Sequence, residues 1–354
     1  MPCYQPNILY AQKVPGQEKH KKLGFINGSQ KNMNYEWYEK QNEWFRENDP
    51  PEIMREFMKV PCGECEGCQE AYSKEWAVRC LLEAQEHEHN YFITLTYDEY
   101  NIPRDDEIVD EKTGVIYEND NWMQGHLVKN HWRKFEKDLR RYWEYHYNHT
   151  GIRFYACGEY GGQTQRPHYH AILMNFPIPL DKLKVHSMSN GNPIFECEII
   201  EKIWGKGFIS LAEVNWDTCA YVARYVMKKQ KGKMTRERYF ETGKTPEFVL
   251  MSRRPGIAQA YAAKNLQNIY SNDEIIIKGH REKIQPVKPP KYYDRLFDKE
   301  HHELMEKIKE KRKAIAKEEN RLKNSKTSMT EAERLKSERL IKKGKGESLK
   351  RNAI

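Results

Sequence analysis

Apolar and polar positions in the middle of the chain follow two different periods. Residues 91–97 (YFITLTY) are β-branched and aromatic and predict a strand. Upstream, Ala77, Cys80, Leu81 and Ala84 recur at helical spacing and predict a helix over about residues 70–89. Residues 129–147 read as a second helix, with Arg133, Lys134, Lys137, Arg140 and Arg141 on a basic face. Residues 153–157 and 168–175 predict strands joined by the turn-rich segment 158–167. Residues 179–204 read as a loop and a short helix, 208–214 as a strand and 217–229 as a helix. Strands interleaved with helices, with one hairpin-like connection, predict an α+β fold. Its centre is a mainly antiparallel sheet of about five strands flanked by helices.

The flanks carry less pattern. Residues 1–60 form a polar N-terminal region with Trp37, Tyr38 and Trp44 but no clear period. Residues 61–90 hold a cysteine cluster and the first helix; 91–232 form the core, interrupted by an acidic insert at 98–125. A C-terminal extension covers 233–290, with a turn at 252–256 and a proline-bearing linker at 286–290. Residues 291–354 are rich in Lys and Glu and predict a charged tail, helical or disordered.

Composition narrows the class. Only 38% of the 354 residues are hydrophobic and 32% are charged, so much of the chain is solvated surface. The net charge of +8 favours a polyanionic partner without requiring one. No apolar run reaches membrane-spanning length, and residues 1–6 (MPCYQP) lack the apolar stretch of a signal peptide. The expectation is a cytoplasmic protein with no membrane partner and with its 8 cysteines reduced.

Candidate chemistry concentrates in three places. His168 and His170 alternate with Tyr169 in a strand, so both project to one face, about 7 Å apart by rise alone. A His-x-His pair is ordinary by itself. Glu159 changes its meaning: if 158–167 closes a hairpin, Glu159 faces His168 across the ladder. Two imidazoles and a carboxylate suit Mg²⁺, Mn²⁺ or another divalent ion. Tyr221 and Tyr225 are four residues apart on a helix, hence on one face and about 6 Å apart along its axis. Lys228 and Lys229 follow. A tyrosine oxygen can attack a phosphodiester, but ionising the phenol at pH 7 costs about 4 kcal/mol. A metal on the phosphate and a nearby lysine offset part of that. Finally, Cys62, Cys65 and Cys68 have ligand-like spacing, and a closed structural zinc site needs a fourth ligand; Cys3, Cys80 and His87 are candidates.

In this order, the strand Phe92-Ile93-Thr94-Leu95-Thr96-Tyr97, Glu159, His168-Tyr169-His170 and the Tyr221/Tyr225 helix with Lys228 and Lys229 resemble the HUH endonuclease family. The Cys-x-x-Cys-x-x-Cys segment and Met251-Ser252-Arg253-Arg254-Pro255-Gly256 narrow the resemblance to replication initiators of the Microviridae, especially the gokushovirus branch. It covers about residues 60–260.

The resemblance implies an RRM-like palm and rolling-circle replication in the cytoplasm of a bacterial host. The protein would nick origin DNA, remain joined to the 5′ phosphate, and rejoin each displaced single strand. His168, His170 and Glu159 would bind Mg²⁺ or Mn²⁺; Tyr221 and Tyr225 would be the nucleophiles, with Lys228 or Lys229 assisting. Cys3 is favoured as fourth ligand of a structural Zn²⁺. The host would supply DNA polymerase and, because no GxxxxGK[ST] loop is present, the helicase. The rival readings are a zinc-containing nucleic-acid-binding protein without catalysis and an HUH transposase or relaxase.

Overall fold

The chain folds as two units, Met1–Ala71 with Glu306–Ile354, and Tyr72–Met305. The structure, a computed structural model, describes residues 3–13, 21–26, 35–50, 52–110, 112–118, 125–189, 191–228 and 239–351.

The first unit contains β1 (Asn7–Lys13), β2 (Lys21–Ile26), α1 (Tyr35–Asn48) and β3 (Met54–Val60), with the strands in the order β2-β1-β3. Both pairings are antiparallel, and the β1–β2 register slips between Tyr10 and Ala11. Aromatic side chains hold α1 to this sheet: the Phe57 ring lies 4.8 Å from Tyr10, 5.0 Å from Tyr38 and 5.9 Å from Phe45. Such clusters contribute beyond their buried area. This order was not legible in the aperiodic N-terminal sequence. α2 (Glu66–Ala84) then leads into the second unit.

There follow β4 (Asn90–Tyr97), β5 (Glu107–Val109), β6 (Ile116–Glu118), α3 (Lys129–Tyr147), β7 (Arg153–Tyr160), β8 (Pro167–Met174), β9 (Lys184–Ser189), β10 (Asn192–Glu196), α4 (Glu198–Trp204), β11 (Gly207–Glu213), α5 (Trp216–Lys228) and β12 (Phe248–Met251). Seven strands form one sheet in the order β12-β7-β8-β4-β11-β10-β9. Every pairing in it is antiparallel. The fold is α+β, as expected, and the sheet is wider than anticipated because β9, β10 and β12 join it. The acidic insert carries the small β5–β6 hairpin. The remaining elements are α6 (Gln259–Asn272), β13 (Ile275–Lys278), β14 (Ile284–Val287), α7 (Lys291–Glu300), α8 (His302–Asn324) and α9 (Glu331–Arg351). The charged tail is therefore helical in its described part. Arg334 ties its last two helices together through Asn320 at 2.6 Å and Asn324 at 2.9 Å.

Alternation divides the labour of the large sheet. On one face, Ile93, Leu95, Tyr97, Tyr169, Ala171 and Leu173 are buried with Trp132, Phe135, Leu139 and Trp143 of α3 in a single core. Those α3 positions fall three to four residues apart, the stripe a helix needs to lie on a sheet. The basic residues of α3 look elsewhere, and Lys134, Arg140 and Arg141 are paired with Asp138 or Glu136. The other face carries Phe92, Thr94, His168 and His170, and there α5 packs over β7, β8 and β12.

Candidate active site

β7 and β8 pair so that Glu159 lies opposite His168 and Cys157 opposite His170. The connecting turn is shorter than the sequence indicated, since β7 runs to Tyr160 and β8 starts at Pro167. Glu159 Oε1 stands 2.8 Å from His168 Nε2 and 2.9 Å from His170 Nε2. Glu159 is only 2% exposed and His170 only 5%. Burial alone would push the Glu159 carboxyl up. The hydrogen bonds and charge of His168 and His170 outweigh it and hold the carboxyl down at about 2.

The other ring nitrogens are already used. His168 Nδ1 is 3.1 Å from the Arg166 carbonyl oxygen, which can only accept, so this Nδ1 carries the proton. His170 Nδ1 is 2.9 Å from Thr94 Oγ1 on β4, its register partner. Both Nε2 atoms thus turn to Glu159. Arg166 is fixed in turn by Glu99 Oε2 at 2.7 Å and by the Tyr97 carbonyl at 3.1 Å, which connects the acidic insert to the histidine strand. The Phe92 ring stacks on His170 at 5.5 Å. Thr94, Arg166 and Phe92 were not singled out from sequence. Period two in β4 is the signal that could have found Phe92 and Thr94, because it sends them to the histidine face.

The three donors fit a divalent cation. Adjacent ligands about 2.1 Å from an octahedral ion stand about 3.0 Å apart, close to the 2.8 and 2.9 Å between the carboxylate oxygen and the two imidazole nitrogens. Nδ1 donors held by a hydroxyl and a carbonyl are the usual outer support of histidine ligands.

Tyr221, on α5, brings its hydroxyl to 3.4 Å from His170 Nε2, with the two rings edge to face at 5.0 Å. The Phe92 ring meets Tyr221 at 5.9 Å, also edge to face. The structure therefore joins Tyr221 to the histidine–glutamate group. The side chains of Tyr225 and Lys228, and all of Lys229, lie outside the described residues.

The cysteines Cys3, Cys62, Cys65 and Cys68 come together in the first unit, their sulfurs all within 4.8 Å of one another. Of the other candidates for a fourth ligand, Cys80 is fully buried in the second unit and His87 Nε2 faces Glu83 at 3.5 Å. No described helix is long and apolar enough to cross a membrane.

Known proteins match this chain along its core. A family model described as replication-associated protein ORF2/G2P matches residues 90–230, the stretch that holds Glu159, His168, His170 and Tyr221. The replication-associated protein ORF2 of Spiroplasma virus 4 is 35% identical over 262 residues, covering 73% of this chain and 74% of that protein. The replication-associated protein VP4 of Bdellovibrio phage phiMH2K is 28% identical over 267 residues, or 74% and 76% of the two chains. The replication-associated protein ORF4 of Chlamydia phage 1 is 31% identical over 174 residues, or 48% and 38%. No solved structure matches. The chain belongs to this family of phage replication-associated proteins and is a replication initiator.

Proposed function

We propose that the protein is a metal-dependent HUH endonuclease and strand transferase that starts rolling-circle replication by nicking origin DNA with a tyrosine. The observation that carries this reading is the Tyr221 hydroxyl 3.4 Å from His170 Nε2, beside a histidine–glutamate group whose donors could hold a cation.

Glu159, His168 and His170 would hold Mg²⁺ or Mn²⁺, whose charge draws electron density from the non-bridging oxygens of the scissile phosphate. The protein's own groups do the rest. Thr94 and the Arg166 carbonyl fix the imidazoles with Nε2 toward Glu159. The oxygen of Tyr221 or Tyr225 bonds to phosphorus as the P–O3′ bond breaks. The phenolic proton passes to water, and the departing 3′ oxygen takes one up from water. The strand keeps its 5′ phosphate on the tyrosine and exposes a 3′ hydroxyl for the host polymerase. After one round the second tyrosine cuts the regenerated junction. The newly freed 3′ hydroxyl attacks the first phosphotyrosyl bond, which closes the circle and releases that tyrosine. Lys228 and Lys229 would offset charge at the phosphate. A host helicase would open the duplex. A non-catalytic zinc protein would account for the cysteines but not for the meeting of Tyr221, His170 and Glu159.

Single-stranded oligonucleotides tiling the phage origin test this reading. With Mn²⁺ the protein should cut one of them and leave an end that a polymerase extends; with EDTA, or in Glu159→Gln, cutting should cease. Cutting that persists in EDTA, or no cutting of any tile, rejects it.

A further inference from the structure

The first unit contains a second group of metal donors that strand cleavage does not use. Cys3 Sγ lies 3.6 Å from Cys62 Sγ and 3.8 Å from Cys65 Sγ, and Cys62 Sγ lies 4.0 Å from Cys68 Sγ. A disulfide brings sulfurs to about 2.05 Å, so these are not bridges, and all four cysteines are free. Four sulfurs about 2.3 Å from a central zinc stand about 3.8 Å apart along the edges of the tetrahedron. The observed separations bracket that value.

The surrounding backbone treats the sulfurs as acceptors. The amides of Tyr4 and Cys65 donate to Cys65 Sγ and Cys62 Sγ, each at 3.3 Å; those of Cys62 and Glu64 donate to Cys3 Sγ at 3.3 Å and Cys62 Sγ at 3.4 Å. Amides directed at sulfur stabilise a thiolate rather than a thiol. Gly63, with φ +78°, makes the turn that lets Cys62 and Cys65 face the same point. Cys68 follows in the first turn of α2, and Cys3 arrives on a segment 59 residues earlier than Cys62.

We propose that Cys3, Cys62, Cys65 and Cys68 bind a structural Zn²⁺. All four positions are taken by protein sulfur, which leaves no place for water or substrate, and four thiolates favour zinc over magnesium or manganese. The ion would pin the N-terminal segment to the start of α2. It would also complete a small core in which Tyr4, Cys65 and Leu335 of α9 are buried together. α9 is held to α2 by Arg339 on Glu66, at 2.8 and 3.0 Å, and by Lys342 on Glu70. The zinc therefore joins two distant stretches of the first unit, with α9 packed against them, and the proposal stands whether or not the protein cleaves DNA.

The test is metal analysis of the purified, reduced full-length chain from zinc-supplied cells. One tightly held zinc is expected, kept in the double variant His168→Ala/His170→Ala and lost in Cys65→Ser. X-ray absorption at the zinc edge of the unaltered protein guards against misfolding of the cysteine variant. It should report four sulfur neighbours at about 2.3 Å. Nitrogen or oxygen neighbours, iron in place of zinc, zinc lost with the histidines, or no bound zinc at all would each overturn the proposal.

Discussion

The Tyr221 hydroxyl meets His170 Nε2 at 3.4 Å although 51 residues separate them in the chain. The contact exists because β8 sends His170 to the face of the sheet on which α5 lies, while Tyr169, one residue earlier, is buried with α3 on the other face. A shift of one residue in the β7–β8 register would remove both histidines from Glu159 and from Tyr221. Sheet register thus controls whether the Tyr221 phenol and the histidine–glutamate group lie side by side.

The support of His170 by Thr94 gives the first prediction. Thr94→Val keeps the shape of the side chain and deletes the oxygen 2.9 Å from Nδ1. Loss of such an outer partner weakens metal binding about 10- to 100-fold. Titration calorimetry with Mn²⁺ should show a drop of that size in Thr94→Val and recovery in Thr94→Ser. Equal affinity in all three proteins would mean that Thr94 does not orient the histidine.

A pH dependence follows from His131, whose Nδ1 is 2.7 Å from the Tyr97 hydroxyl. Burial, then the positive charges of Lys206 and His126, hold this imidazole down at about 4. The unfolded chain takes up the proton near pH 6.5 and the folded chain does not until about pH 4. Folding stability is therefore lost as the pH falls through that window and is not regained below it. For a partly buried group, solvent screening reduces the effect to about 1–2 kcal/mol. Urea unfolding at pH 7 and pH 5 should show the wild type losing about 1 kcal/mol more than His131→Gln. Parallel losses in both proteins would contradict the assignment.

Gly207 opens β11 at φ +136°, where a Cβ would collide with the Asp98 amide and the Thr96 carbonyl of the neighbouring strand. Gly205, two residues earlier, has φ +58° and only an ordinary contact at 3.4 Å. Gly207→Ala should lower stability by about 2–3 kcal/mol and Gly205→Ala by about 1 kcal/mol. Thermal melts of both variants check the order, and a reversed order would show that the β4–β11 edge can relax.

The central strands were legible because they are short runs of apolar, β-branched and aromatic residues next to turn signals: residues 91–97 and 168–175 announce β4 and β8, and the Glu159–His168 pairing follows from the hairpin alone. The parts that escaped notice lack such a signal. β9 is exposed at every position, so no apolar face marks it. β12 is four residues long, too short for a period to show. β1 does not alternate, since its buried residues Ile8 and Ala11 are three apart; its pairing with β2 shifts at Tyr10/Ala11, and the aromatic cluster around Phe57 draws on α1 as well. Thr94 and Arg166 act through a histidine or a backbone carbonyl, roles that appear only when the register is known. Cys3 could be tied to the cysteine cluster by resemblance but not by spacing, since chain distance carries no information about where its segment returns.

Mass-spectrometric mapping of the protein–DNA adduct tests the central claim most directly. After incubation with cleavable origin DNA and Mn²⁺, followed by nuclease and protease digestion, the nucleotide should remain on a peptide carrying Tyr221 or Tyr225. It should vanish when both become phenylalanine. A nucleotide attached elsewhere, or strands cut to free 5′ phosphates with no protein attached, would contradict attack by a tyrosine of α5.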